Sequence, residues 1–500
     1  MKTIKRFLFL LHRWIGVTFS LLILLWFASG IVMMYVAFPT LTPSERFAHA
    51  PVLQTERLAV SPLKALEALS EAPRPIAALR LSTVLQRPAY LVKDANGQWS
   101  GVFADDGAPI SNIGPDAAEQ AARGFAGDGA TATHLAESSV DQWSVSGSLN
   151  GYRPLHKVAV ADGRGAILYV SSRTGQVVRD TSRWERNWNW VGAVVHWIYP
   201  TALRRHTQAW VNVVIVLSLG GLIAAISGTI VGIMRVRVKR RYRSGSVSPY
   251  SGLQFWHHLG GLLSAVFVIT FLFSGLMSMN PWGVFDNRGE SKKEQIARYT
   301  NGALDLSRFS PDVSSIAAAL PDDFEPREIE WLQHTNGTYL VFTDAKARRV
   351  ALSAMLGRPA RRIENMIDRV DQHVGSLMPD ATILEKKILS AYDEYYYARH
   401  ERYKPLPIMR VKFDDESNTW FHIDGVTGQV LSRSTKTDRI KRWLYNGLHS
   451  LDFRILVTNR PLWDIIVIIL SLLGIGFSLT GVVIGWRRLK IKGARILNRQ

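Results

Sequence analysis

Residues 11–33 read LHRWIGVTFSLLILLWFASGIVM, and residues 256–278 read WHHLGGLLSAVFVITFLFSGLMS. The two stretches are copies of one another. An offset of 245 places His12 on His257, Gly16 on Gly261, Ser29 on Ser274 and Gly30 on Gly275. A second offset, 253, places His196 on His449, Trp190 on Trp443 and Trp210 on Trp463. It also matches Gly221, Gly228 and Gly232 with Gly474, Gly481 and Gly485. Charged side chains are absent from Trp14 to Phe38, Ala209 to Met234, Leu259 to Phe285 and Ile465 to Trp486. Each of these runs exceeds the roughly 20 residues that a helix needs to cross the hydrocarbon core of a bilayer. The fold expected is therefore an α-helical membrane protein with four transmembrane helices in two pseudo-symmetric halves, with the lipid bilayer as its first partner.

The formal net charge of the 500 residues is +19, and its location carries more than its size. Sixteen basic residues fall in three segments without an acidic one: Lys2, Lys5, Arg6 and Arg13; Arg235, Arg237, Lys239, Arg240, Arg241 and Arg243; and Arg487, Arg488, Lys490, Lys492, Arg495 and Arg499. This is the positive-inside pattern. It places both termini and the central link in the cytoplasm and the two long inter-span regions outside. The basic balance is thus topology, not a nucleic-acid surface. The first apolar run is about 25 residues, longer than the 7–15 of a signal peptide, and is read as a retained anchor.

The expected order is a tail and first span over 1–38, an outer domain over 39–186, an interfacial helix and second span over 187–234, and a basic link over 235–255. The third span follows over 256–286, a second outer domain over 287–439, an interfacial helix and fourth span over 440–487, and a tail over 488–500. Both outer regions are too long to be loops. The first has helices near Pro62 to Leu69 and Pro115 to Phe125, and alternating strands at Ala77 to Ser82, Ala89 to Lys93 and Gln98 to Phe103. The second has helices at Val313 to Leu320 and Arg361 to Val374, and strands at Glu328 to Leu332, Thr338 to Thr343, Met409 to Phe413 and Thr419 to Ile423. Each closes on Thr-Gly-Gln-Val, at Thr174 to Val177 and Thr427 to Val430. Two α+β domains, each ending in a hairpin, are expected.

The chain has no cysteine. Thiolate-held iron–sulfur clusters, thiol exchange and covalent CxxCH haem attachment are excluded. Any redox centre must be held by His, Met or Tyr. One histidine near a membrane edge is usually an interfacial polar group, but two duplicated pairs are a different matter. His12 would face His257 at the cytoplasmic side, and His196 would face His449 at the outer side. Gly16 and Gly30 lie on the His12 face of one helix, as Gly261 and Gly275 do for His257, which leaves room for a flat macrocycle. Glycines that merely let helices pack closely are the plainer explanation. Each pair is too small for a closed tetrahedral zinc site. Two histidines opposed across a tetrapyrrole need no third ligand.

His258 and His206 compete as ligands. Arg13, Arg204, Arg205, Arg454 and Arg460 lie at the levels of the haem propionates or act as interfacial anchors. The aromatic stretch Tyr392 to His400, with Tyr395, Tyr396, Tyr397 and Arg399, is a candidate docking face for an iron chelate, against the plainer reading of a strand with one aromatic face in a core. No paired catalytic carboxylates, HExxH, GxSxG or phosphate-binding glycine loop is found. The spans lack the Asp, Glu or Lys usual on a transporter's ion pathway.

LHRWIG at the first span, the TGQV endings, YYYARH…PLPIMRVKFDD…TW and GLHSLDF…NRPLWDI resemble the PepSY-associated transmembrane (iron-regulated membrane protein) family over nearly the whole chain. The resemblance implies a bacterial inner-membrane protein with PepSY-like periplasmic domains. It implies two b-type haems, with His12, His196, His257 and His449 as the ligands of the haem iron, and reduction of ferric siderophores or ferric chelates for iron uptake. The cytoplasmic segments are far shorter than the ~30 residues of a βαβ nucleotide-binding unit, so the electron donor is expected to be quinol or a separate cytoplasmic reductase. PepSY-type domains also occur in protease propeptides, and a non-enzymatic role binding or restraining an envelope peptidase is the alternative.

Overall fold

The computed structural model describes residues 2–69, 75–127, 129–287, 289–334, 337–398 and 403–497. Among them, four helices are long and apolar enough to cross a membrane: Lys2–Tyr35, Thr207–Arg235, Gly252–Ser278 and Leu462–Lys492. The chain divides into two compact units, one of residues 1–38, 187–286 and 437–500, the other of residues 39–186 and 287–436.

In the helical unit, the first and third spans each pack against both the second and the fourth. Ile23, Phe27, Val268 and Leu272 form the buried centre, with Phe19, Trp26, Phe267 and Phe271 around it. Helices in lipid gain no hydrophobic drive from association and depend on close packing at small residues. Phe27 lies flat on Gly474, where a Cβ would stand 2.7 Å from its ring. The second and fourth spans are each preceded by short turns. Ala193–His196 and Thr201–Arg204 lead into the second span, and a π-helical turn Trp443–Gly447 and the helix Arg454–Val457 lead into the fourth.

The other unit is built from antiparallel sheets. A seven-stranded sheet runs in the order Arg349–Ser353, Gly337–Asp344, Pro326–His334, Ile76–Val84, Arg87–Asp94, Trp99–Phe103 and Pro109–Ile110. The strands Ile76–Val84 and Pro326–His334 come from the two different inter-span regions, and they pair Arg80 with Glu330, Leu81 with Ile329 and Ser82 with Glu328. One buried core, containing Leu79, Leu81, Tyr90, Ile329, Trp331 and Phe342, belongs to both regions. Beside the joint, Arg46 forms a bidentate pair with the buried Glu328 carboxylate. Burial alone would raise that carboxyl, but the Arg46 and Arg80 guanidiniums outweigh it and hold it below its ordinary value.

Two four-stranded sheets complete the unit, Ala132–Ser138 to Val177–Thr181 and Ile383–Leu389 to Val430–Ser434. Each Thr-Gly-Gln-Val forms the turn before a last strand, with Gly175 and Gly428 at φ of 67° and 73°, a region that glycine enters at little cost. The helix expected over Arg361 to Val374 is shorter, Met366–Asp371, because Arg362 bridges back to Leu352 and the Asn365 side chain caps the Asp368 amide.

Candidate functional site

His12 lies on the first span and His257 on the third, and their rings stand 6.3 Å apart, centre to centre, with planes 24° apart. His196 and His449 stand 5.9 Å apart with planes crossed at 68°. A ring nitrogen about 2 Å from a metal puts the ring centre about 3 Å from it. Two rings facing across one iron therefore stand about 6 Å apart, as both pairs do. Among the described residues no group of three or more His, Asp or Glu is placed to hold an ion; each couple presents two imidazoles.

The other ring nitrogen is engaged in all four cases. His12 Nδ1 bonds the Ala224 carbonyl at 3.2 Å. His257 Nδ1 bonds Thr480 Oγ1 at 3.0 Å. His196 Nδ1 lies 3.1 Å from both Ser29 Oγ and the Trp26 carbonyl. His449 Nδ1 lies 3.1 Å from Ser274 Oγ and 3.2 Å from the Phe271 carbonyl. A carbonyl only accepts, so Nδ1 carries the proton and Nε2 keeps its lone pair for a metal. Thr480 already donates to the Phe477 carbonyl at 2.5 Å, so its oxygen accepts from His257 in the same sense.

Each ring also rests on the glycine that follows a hydroxyl residue on a facing span. Cβ atoms at Gly30 and Gly275 would stand 3.5 and 3.4 Å from Cε1 of His196 and His449. At Gly228 and Gly481 they would stand 2.6 and 3.2 Å from Cε1 of His12 and His257. This corrects one expectation. Gly30 and Gly275 do not serve the histidine on their own helix, because five turns carry them to the opposite end of the span, where they seat the other pair. Gly261 does have open space, since a Cβ there would meet nothing within 4 Å. Room beside the His257 ring, two opposed imidazoles and a fixed Nδ1 proton together fit a haem.

The backbone around His196 and His449 is duplicated in detail. His196 ends the short helix Ala193–His196, and His449 ends a helical run that passes through the π-helical turn Trp443–Gly447. The carbonyl of the next residue, Trp197 or Ser450, accepts from the indole of Trp210 or Trp463 at 2.9 and 2.8 Å. The residue after that, Ile198 or Leu451, has φ of 51° or 48°. A bulky non-glycine residue in that region costs roughly 1–3 kcal/mol and persists only where its surroundings hold it. The indoles and the reversal fix the two histidines although neither lies in a span.

The competing residues are placed elsewhere. His258 is buried, with Nδ1 on Ser248 Oγ at 2.8 Å and Nε2 on the Gly232 carbonyl at 2.9 Å, so both of its nitrogens are engaged. His206 is exposed before the second span and accepts from Arg205 Nε at 3.2 Å. Arg13 follows His12 on the first helix. Arg204 packs over the rings of Tyr199 and Trp210, and Arg460 pairs with Asp464 at 2.5 Å.

The stretch Tyr392 to Tyr397 is not the strand expected but an irregular loop, held because Asp393 accepts from the Tyr395 and Tyr396 amides and from Arg410. These bonds hold the Asp393 carboxyl at about 2 although burial alone would raise it. Tyr396 is buried, and its hydroxyl donates to the Pro405 carbonyl. Tyr395 packs edge-on against Trp420, Tyr397 is half-buried, and Arg399 lies outside the described residues.

Sequence reasoning missed the acceptors Ala224 and Thr480, and Ser227, which donates to the Ala224 carbonyl. Their signal is a Ser-Gly or Thr-Gly dipeptide in every span: Ser29-Gly30, Ser227-Gly228, Ser274-Gly275 and Thr480-Gly481. No curated protein matches the sequence. Residues 9–488 match the family described as PepSY-associated TM region, and the chain belongs to that family.

Proposed function

We propose that this protein is a dihaem electron carrier of the bacterial inner membrane that reduces ferric siderophores, or other ferric chelates, in the periplasm. The observation that carries the reading is the pair of opposed histidine couples, each at haem-ligation spacing with its Nδ1 atoms tied. Haem b held by two histidines supplies reversible one-electron transfer without a vacant ligand position. The chain's own part is to hold the four imidazoles in one tautomer, exclude water with the apolar packing around Phe27 and Phe271, and set the spacing of the couples. From His12 to Ser29, which holds His196, the first span rises about 25 Å, close to the thickness of a hydrocarbon core.

In this reading the two halves are related by a pseudo-two-fold axis along the membrane normal. Both termini are cytoplasmic and both PepSY-like regions periplasmic, consistent with the sixteen clustered basic residues. Electrons enter at the His12–His257 end from quinol or a separate reductase and leave at the His196–His449 end. Oxygen-rich chelators favour Fe(III), so one-electron reduction loosens the chelate and releases the metal.

The test is a dithionite-reduced minus oxidised spectrum of detergent-purified protein with a pyridine haemochrome count. Sharp bis-histidine b-type bands at about two haems per chain are expected, with no reduction by NADPH alone. Colourless protein from haem-replete cells would overturn the reading and favour periplasmic domains that restrain a peptidase.

A further inference from the structure

Every span carries the same small device. A hydroxyl donates to the carbonyl three residues before it, at 3.2 Å for Ser29 to Trp26, 3.2 Å for Ser227 to Ala224, 3.0 Å for Ser274 to Phe271 and 2.5 Å for Thr480 to Phe477. A serine or threonine inside a helix commonly back-bonds in this way, and by itself that is unremarked helix chemistry. Here each of the four carbonyl–hydroxyl pairs faces the Nδ1 of one of the four paired histidines, and the glycine after each hydroxyl seats the ring.

We propose that Ser29, Ser227, Ser274 and Thr480 are positioning residues that set the redox potential of each histidine couple through the strength of the Nδ1 hydrogen bond. The proposal rests on the haem reading above and goes beyond it by assigning a separate, directional role to each hydroxyl. A stronger acceptor at Nδ1–H gives the imidazole more anionic character, which makes it a better donor to ferric iron and lowers the potential. Ser29, Ser274 and Thr480 also donate to the carbonyl three residues before them, but each adds its own oxygen to the ring as a further acceptor, and that added bond strengthens its histidine. Ser227 differs. Its hydroxyl gives His12 no oxygen and only donates to the Ala224 carbonyl that accepts the His12 proton, so competition at that carbonyl is its whole effect. The two ligands of the His12–His257 couple are thus tuned in opposite senses by residues at equivalent places in the repeat.

The experiment is a potentiometric titration of full-length detergent-purified protein, followed spectroscopically, for wild type, Ser29→Ala, Ser274→Ala, Thr480→Ala, Thr480→Ser and Ser227→Ala. Each should retain about two haems. Ser29→Ala and Ser274→Ala should raise the potential of one centre and leave the other. Thr480→Ala should raise the potential of the other centre, by up to about tenfold in the oxidised-to-reduced ratio (59 mV for one electron), and Thr480→Ser should restore it. Ser227→Ala should shift that centre by less, and downward. Unchanged potentials in fully loaded variants, or shifts of one sign throughout, would overturn the proposal while leaving the haem reading intact. Colourless wild-type protein would remove the reading beneath it.

Discussion

The two histidine couples are held by the same chemistry on different scaffolds. His12 and His257 sit inside long helices, their rings 24° from parallel, and they differ in that His257 meets a threonine hydroxyl where His12 meets only a carbonyl. His196 and His449 end helices before a strained reversal, their planes crossed at 68°, and they match each other in the contacts of Nδ1 and in the reversal that follows. A regular helix fixes a ligand's position but lets its surroundings drift between copies. A turn outside the span must be rebuilt bond by bond to hold a ring at all, so its two copies stay alike.

The comparison breaks most visibly if the couples are not independent. His449→Ala and His257→Ala are each expected to lower the haem count from about two to about one, with the remaining centre's band position unchanged. Loss of all colour from either variant would mean a single shared site. The next effect is steric. Gly228→Ala drives a methyl to 2.6 Å from His12 Cε1, whereas Gly481→Ala places it at 3.2 Å from His257 Cε1. Overpacking of the first kind costs roughly 1–3 kcal/mol or more, so Gly228→Ala should lose the His12–His257 haem and Gly481→Ala should keep it with weaker retention on dilution. Equal retention in the two variants would show that the couple is slack.

A finer reading comes from the electron paramagnetic resonance of the oxidised protein. Near-parallel imidazoles give a rhombic low-spin spectrum, and crossed imidazoles give one highly anisotropic low-field feature. One signal of each kind is expected, the second lost in His449→Ala, and two identical signals would contradict the ring angles.

The smallest effect contrasts these histidines with one buried for packing. His334 lies stacked between Tyr299 and Tyr339, with Nε2 donating to the Thr427 carbonyl at 2.7 Å and Nδ1 buried without a hydrogen-bond partner among the described residues. Burial pushes its pKa down to about 4, with nearby His373 adding to the effect. Its folded value lies below the unfolded one, so its contribution is complete above about 6.5 and is lost as pH falls toward 4. The denaturation midpoint should fall across that window in wild type and less so in His334→Gln. An identical slope in the variant would assign the acid sensitivity to other groups.

Much of this was legible because it is written in repeats and in runs of uncharged residues. The four spans follow from the absence of Asp, Glu, Lys and Arg, and the pairing of His12 with His257 and of His196 with His449 follows from two offsets. The hydroxyl acceptors were visible as Ser-Gly and Thr-Gly, but the letters do not say which side of a helix faces which ring. Ile198 and Leu451 gave no signal, since neither residue type favours the conformation it adopts. Tyr396 reads as a surface aromatic only until Asp393, Arg410 and Pro405 close around it. The union of Ile76–Val84 with Pro326–His334 was invisible for a different reason. Pairing between strands some 250 residues apart leaves no local pattern.

That union has a consequence for how the protein is made. The strand Ile76–Val84 is translated long before Pro326–His334, and its partner edge does not exist in the interval. At about 5–20 residues per second, the delay is on the order of 10–50 s. During that time the nascent first half carries an open strand edge next to half of an apolar core, the kind of surface on which other chains aggregate. The two halves echo one another in sequence, but in synthesis neither is complete until the other has arrived.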